Sequence, residues 1–202
     1  MIAKTVFDGE EIIQRLLWGV VKEQVKQALE RKEEWLNPSI VARVFAYLTV
    51  EAYLNYVGER VEPAIWQDER NYFRLEPYRG ALGKLRKVID MVGLLWKPDD
   101  RPLKTVLELK EIRDLIAHGK AEKLRDEVVH QFSESVPYPS SELQKLAANK
   151  DTLAFVLPDV EEFLDAIQRC AKPLLKVEDV LFGDKALQGP SWQMGYSTAL
   201  NV

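Results

Sequence analysis

The sequence predicts an all-α fold, a bundle of amphipathic helices, from three observations. Apolar residues recur at helical spacing through most of residues 8–120. Helix start signals precede several of these runs, for example Asn37 followed by Pro38. The chain has 202 residues and is 47% hydrophobic, enough for a sizeable core in one domain. We therefore expect a helical domain at residues 1–176, with its core bundle at about 8–120, and an irregular tail at 177–202.

Two long helices are predicted first. Residues 8–34 begin with Asp8 and Glu11 at capping-box spacing. Their broad apolar stripe comprises Ile12, Ile13, Leu16, Leu17, Val20, Val21, Val25 and Leu29. The second helix runs from Asn37 to about residue 60, and Glu51 and Asn55 lie at the border of its apolar stripe. Glu51 is therefore either a partner for a cation on another helix or a residue at a solvated boundary.

Residues 61–77 fit a short helix or an irregular connector. The aromatic residues of this stretch, Trp66, Tyr72 and Phe73, are interleaved with arginines. Such a mixture can stack bases and hold phosphates, or it can cover the edge of a core.

The third helix, residues 78–93, carries the most concentrated basic surface of the chain. Its basic residues are Arg79, Lys84, Arg86 and Lys87. They form either a solvated helix face or a track for phosphates.

The sequence predicts a long amphipathic helix at residues 103–120, and we expect the rest of the chain to be organised around it. Arg113 falls on or beside its apolar face. A buried, unpaired guanidinium would cost several kcal/mol, so Arg113 requires a carboxylate, a partner chain or a bound anion. His118 lies five residues further on, and an arginine side chain is long enough for both groups to reach one pocket. Alternatively, Arg113 is a structural ion pair and His118 a helix C-cap.

An arginine and a histidine in one pocket suit phosphodiester chemistry. Histidine exchanges protons near neutral pH, and arginine grips phosphate oxygens through two N–H groups. One histidine cannot easily act as both base and acid in a single step. A two-fold dimer would supply a second His118.

The run Arg-Asp-Leu-Ile-Ala-His at residues 113–118 resembles the Arg-x4–6-His motif of the HEPN superfamily. Asp114 matches the polar residue that typically follows the arginine, and residues 51–55 resemble the second helix of several HEPN families. The resemblance spans about residues 8–120. It implies an up-and-down helical bundle that is usually dimeric.

The resemblance also implies a function, a metal-independent endoribonuclease that needs no cofactor and cleaves single-stranded RNA. Arg113, Asp114 and His118 would be catalytic, with Glu51 and Asn55 in support. Lys120 and the basic residues of the third helix would guide the strand. Some HEPN proteins are toxins beside an antitoxin, whereas others are non-catalytic dimerisation or ligand-binding modules. Both readings stay open.

A second run, Arg125 to His130, repeats the spacing and the Asp of the motif. We prefer the first run because it ends a long amphipathic helix, whereas the second lies among β-branched residues. The C-terminal third allows a short β-hairpin from residues 128–132 and 153–157. Helices are expected at 141–148 and at about 158–175.

Composition and missing motifs exclude several classes of protein. The net charge of −4 gives no global basic field, so RNA would bind a local patch. The single Cys170 excludes an intrachain disulfide, and the sequence has no signal peptide or membrane-spanning run, so we expect a cytoplasmic protein without membrane contacts. No GxxxxGKS/T, GxGxxG, HExxH or GxSxG motif and no Cys/His metal cluster is present.

Overall fold

The structure, a computed structural model, describes residues 3–30, 35–119, 140–176, 181 and 183–200. It confirms the prediction of an all-α helical bundle. The main helices are α1 (Ile13–Glu30), α2 (Leu36–Val61), α3 (Pro63–Gln67), α4 (Glu69–Tyr72), α5 (Gly80–Met91), α6 (Leu103–Ala117), α7 (Glu142–Ala147), α8 (Lys150–Ala154) and α9 (Val156–Ala171), which a 3-10 turn follows (Lys172–Leu174). Two strands, β1 (Ala3–Glu11) and β2 (Trp192–Leu200), accompany them.

The helix α2 forms the centre of the bundle. It packs against α1, α3, α5, α6, α7 and α9. Because it has neighbours on most sides, it is apolar around much of its circumference, and Tyr47, Val50, Tyr53 and Val57 are fully buried. The Tyr53 hydroxyl donates to Oε1 of Gln168 at 3.1 Å, so this buried hydroxyl keeps a polar partner. Thus α2 provides the fixed support for α5 and α6.

The start of the first helix differs from the prediction. Residues 8–11, expected in the helix, belong to β1, and α1 begins at Ile13. The strand β1 pairs antiparallel with β2, from Ala3 opposite Leu200 to Glu11 opposite Trp192. The expectation of an irregular tail at 177–202 is therefore wrong for residues 192–200. Because the partner strand lies at the other end of the chain, no local turn signal in the sequence indicates this pairing. The capping-box spacing of Asp8 and Glu11 does not mark a helix start, since both residues lie in β1.

The buried face of α1 is also rotated from the predicted stripe. Trp18 is 1% exposed, whereas Ile13, Leu16 and Leu29 are 44%, 49% and 53% exposed. The buried residues of α1 are Gln14, Arg15, Trp18, Val21, Val25 and Ala28. The apolar residues of this helix cover a wide arc, so their spacing alone did not determine which side faces α2.

In the C-terminal third, α8 ends at Ala154 and α9 begins at Val156, with Phe155 as the turn between them, so the prediction of a strand at residues 153–157 is wrong. Asn149 caps α8 by accepting the Thr152 N–H at 3.2 Å. Pro158 lies in the first turn of α9, where a missing N–H leaves no helical bond unmade. The other half of the expected hairpin, residues 128–132, lies outside the described residues.

The two remaining helix predictions in this third are confirmed. Ser141 and Gln144 form a complete capping box at the start of α7, and α9 occupies residues 156–171. None of the described helices combines the length and the apolar composition that crossing a bilayer requires.

Candidate active site

Arg113 projects from α6 towards α2 and is held by two carboxylates. Its Nη2 donates to Oε1 of Glu51, and its Nη1 donates to Oδ1 of Asp114 at 2.7 Å. The other oxygen of Asp114 accepts from Lys110. The side chain of Arg113 is 19% exposed and that of Glu51 is 28% exposed. The predicted contact between Arg113 and Glu51 is therefore present.

Tyr47 forms the floor beneath this cluster. The guanidinium carbon of Arg113 lies 5.1 Å from the centroid of the Tyr47 ring. Burial, reinforced by the Glu51 carboxylate, raises the pKa of Tyr47, so the phenol stays neutral. Within the described residues, the Tyr47 hydroxyl and Nε of Arg113 are buried without a hydrogen-bond partner. The aromatic floor and the two carboxylates thus restrict Arg113 to one region of the surface.

His118 lies at the C-terminal end of α6. Its backbone N–H donates to the Asp114 carbonyl at 2.9 Å and closes the last turn. Its side chain is exposed, and it forms no hydrogen bond within the part of the chain that the structure describes. The nearby Ile116 is 41% exposed. The imidazole is therefore accessible to a ligand or to a partner chain.

Arg113 and His118 line one cleft of about 610 Å³. Its walls are the C-terminal half of α6, the N-terminal half of α5, the turn before α5 and a segment after it. The lining residues are Glu76, Pro77, Arg79, Gly80, Leu82, Gly83, Arg86, Trp96, Lys110, Arg113, Asp114 and His118. A volume of this size accommodates a nucleotide-sized ligand.

The cleft is locally cationic although the chain carries a net charge of −4. Among the described residues that line it, four are arginine or lysine and two are carboxylates. The first turn of α5 also borders the cleft, and its N-cap residue Arg79 makes no side-chain capping bond. The positive end of that helix adds to the attraction for anions. The predicted local patch is therefore present at the Arg113 site.

The basic residues of α5 divide between two surfaces. Arg79 and Arg86 line the cleft. Lys84 instead binds Glu69 at 2.6 Å, and Lys87 binds Glu62 at 3.0 Å. These two lysines do not line the cleft, because carboxylates at the end of α2 and in α4 engage them. Their role in guiding RNA stays a prediction.

Asn55 and Lys120 were also predicted at the site. Asn55 accepts from Nε1 of Trp66 at 3.3 Å and from Nζ of Lys84 at 3.2 Å, and it does not line the cleft. It therefore ties α2 to α3 and α5. Lys120 and the second motif, Arg125 with His130, lie outside the described residues.

The aromatic residues of the stretch 61–77, for which base stacking and covering a core edge were the two alternatives, do not line the cleft. Trp66 and Phe73 are 6% and 7% exposed, with their rings edge to face at 5.5 Å between centroids. The alternative that they cover a core edge is correct. Trp96, which sequence reasoning did not single out, is half-buried in the cleft wall, and the Arg86 guanidinium carbon lies 6.0 Å from its ring centroid. Trp96 lies in the connector between α5 and α6, where the sequence has no helical periodicity that would indicate a functional position.

Within the described ranges, no three His, Cys, Asp or Glu side chains converge as a metal site would require. The cleft carboxylate of Asp114 is already shared between Arg113 and Lys110. The residues of the cleft thus suit an anionic ligand better than a cation.

Comparison of the chain with protein-family models, with curated proteins and with solved structures found no match. The resemblance to the HEPN superfamily therefore depends on the residues themselves, and it stays a prediction.

Proposed function

We propose that the chain is a metal-independent endoribonuclease of the HEPN type that cleaves single-stranded RNA in the Arg113 cleft. The observation that carries the proposal is that Arg113 and His118 line one cationic cleft. An exposed imidazole supplies a proton acceptor, and a fixed guanidinium beside it supplies a group for phosphate oxygens. The excess of cations attracts a polyanion to this face of an otherwise acidic protein.

In the proposed reaction, His118 takes the proton of a ribose 2′-OH as its oxygen attacks the adjacent phosphorus. The bond from phosphorus to the 5′-oxygen breaks, and the leaving oxygen takes a proton from the His118 of a second chain. Arg113 stabilises the charge that builds on the phosphate oxygens, a contact worth about 3 kcal/mol. Asp114 positions Arg113 and Lys110. DNA resists cleavage because it lacks the attacking 2′-OH.

We infer further that the active form is a homodimer whose two-fold axis lies near the C-terminal end of α6. Exposed Ile116 and His118 at this end support the inference, since a contact there would bury an apolar side chain and bring two imidazoles together. The family resemblance adds a cellular role as a toxin opposed by an antitoxin protein.

A second candidate function is a non-catalytic binding module for anions. One specific observation favours it, because carboxylates already engage both terminal nitrogens of Arg113. A guanidinium engaged in this way can fix the bundle without contacting a phosphate. In that case the same cleft would bind RNA or a smaller anion without cleaving it.

Cleavage of a mixed-sequence single-stranded RNA in excess EDTA distinguishes the two functions. We expect the wild-type protein to cleave it, His118→Ala to be inactive, and His130→Ala, the matched control from the second motif, to remain active. If only His130→Ala loses activity, the active site would instead be at the second motif, Arg125 to His130. A folded, dimeric wild-type protein that binds this RNA without cleaving it would favour the binding module.

A further inference from the structure

Trp96 is the one aromatic residue among the described residues that line the cleft. It is half-buried and packs against the hydrophobic core, and part of its side chain remains exposed. Arg86 approaches it, with 6.0 Å from the guanidinium carbon to the ring centroid. An indole can stack on the flat face of a nucleobase, and a guanidinium nearby complements the negative charge of its phosphate.

The cleft that Trp96 lines has open space and apolar surface along α5. Leu82, also in the cleft wall, is 41% exposed and adds apolar surface. At Gly80, a Cβ would meet no heavy atom within 4 Å, so the backbone of α5 borders open space there. The groups suited to phosphate, Arg113 and His118, line the same cleft. The cleft thus offers a surface for a base and a site for the adjoining phosphate.

We propose that Trp96 stacks on a base of single-stranded RNA while Arg86 contacts the neighbouring phosphate, and that this pair selects unpaired strands. The inference rests on the proposed function, because it assigns the recognition of that same substrate. In a duplex the bases stack on each other, and the face of an inner base is not available to a side chain. A base held by Trp96 would set which phosphate reaches Arg113 and His118.

The test uses a ligand that binds but cannot be cleaved. The probe is a fluorescein-labelled single-stranded octamer of 2′-O-methyl RNA, and the reference is an octamer with the same phosphates but abasic sugars. We expect the wild-type protein to bind the base-bearing octamer about 5- to 150-fold more tightly, the gain from stacking about one base. Trp96→Leu should remove that difference and leave the affinity for the abasic octamer unchanged, whereas Trp96→Phe should keep most of it.

Trp35 offers a matched control. It is also half-buried and has a cation near its ring, with Nζ of Lys150 at 4.7 Å from the centroid, but it does not line the cleft. Trp35→Leu should therefore change the affinity for neither octamer. Thermal melting of each variant separates lost binding from lost folding.

Three results would overturn the inference. The first is that Trp96→Leu keeps the preference for the base-bearing octamer, and the second is that the wild-type protein binds both octamers equally. The third is that the wild-type protein binds a duplex or a mononucleotide as tightly as the single strand. Cleavage assays run in parallel keep the two proposals apart. If the wild-type protein cleaves RNA and Trp96→Leu keeps the base preference, stacking fails while the proposed function stands. If the wild-type protein cleaves no RNA but Trp96→Leu loses the preference for bases, the proposed function fails while stacking stands.

Discussion

The Arg113 side chain contacts two carboxylates, and the proposed function gives the same side chain a role in binding phosphate. Its two carboxylate partners lie on different elements, Glu51 on α2 and Asp114 on α6. Each hydrogen bond orients one terminal nitrogen of Arg113, and the Tyr47 ring limits the movement of the guanidinium on the side that faces it. Because the guanidinium is already fixed, little further side-chain conformational entropy is lost when a phosphate binds to it.

The energy of this arrangement can be measured with a double-mutant cycle of Arg113→Met and Glu51→Gln. We expect a coupling of about 1–2 kcal/mol in the free energy of unfolding, because the pair is charged and mostly shielded from water. Urea denaturation gives the four values.

The matched control is the pair Lys97 and Asp100. Its atoms are 4.0 Å apart, and its side chains are 61% and 67% exposed. We expect its coupling to stay below about 0.5 kcal/mol. Equal coupling in the two cycles would contradict the view that Arg113 is held specifically.

Residue spacing predicted part of this site. A charged residue at the border of an apolar stripe requires a partner, and this rule predicts the contact between Arg113 and Glu51. Trp96 could not be identified in the same way, because a connector has no periodicity and only the fold places this side chain in the wall of a cleft that α5 and α6 also line. Asn55 shared the stripe of Glu51, yet its partners proved to be Trp66 and Lys84.

At the scale of elements, α5 presents its basic residues on two surfaces. Arg79 and Arg86 line the cleft, whereas Lys84 and Lys87 are paired with carboxylates. Neutralising Arg79 and Arg86 removes the same charge as neutralising Lys84 and Lys87, so the RNA affinities of the two double variants can be compared at equal net charge.

We expect the double variant Arg79→Gln/Arg86→Gln to weaken binding of single-stranded RNA. It should lower the slope of log K against log salt by about 1.4, as two lost phosphate contacts require. Lys84→Gln/Lys87→Gln should leave the slope unchanged and cost about 1 kcal/mol of stability. Salt titrations of RNA affinity measure both, and equal loss of slope in the two variants would show that α5 acts only through net charge.

Elements far apart in sequence limited what could be predicted of the fold. The amphipathic runs of α2, α5 and α6 were recognisable because each buries one stripe or, for α2, most of its surface. The strands β1 and β2 were missed because each needs a partner at the other end of the chain. The face of α1 was misassigned because Leu16 and Trp18 are both hydrophobic, and only contact with α2 decides between them.

At the scale of the whole molecule, the proposed chemistry requires two chains. We expect light scattering to give twice the chain mass of 23.2 kDa. Ile116→Asn should shift the protein to monomers and abolish cleavage, because a single His118 would then lack its counterpart. The change adds no charge to the neighbouring cleft.

Leu174→Asn is the control for this variant, since Leu174 is 50% exposed and lies in the 3-10 turn after α9. It should stay dimeric and active. A monomeric Ile116→Asn protein with full cleavage activity would refute the need for a second histidine.

The most direct test of the account is the chemistry of the RNA ends that the protein leaves. Attack by the 2′-OH, with His118 as the base, must produce a 2′,3′-cyclic phosphate on one fragment and a 5′-hydroxyl on the other. Mass spectrometry of the fragments formed in excess EDTA identifies both ends. We expect these two ends and no fragments from a matched DNA strand. Fragments with a 3′-hydroxyl and a 5′-phosphate, or intact RNA, would contradict the proposed role of the Arg113 cleft.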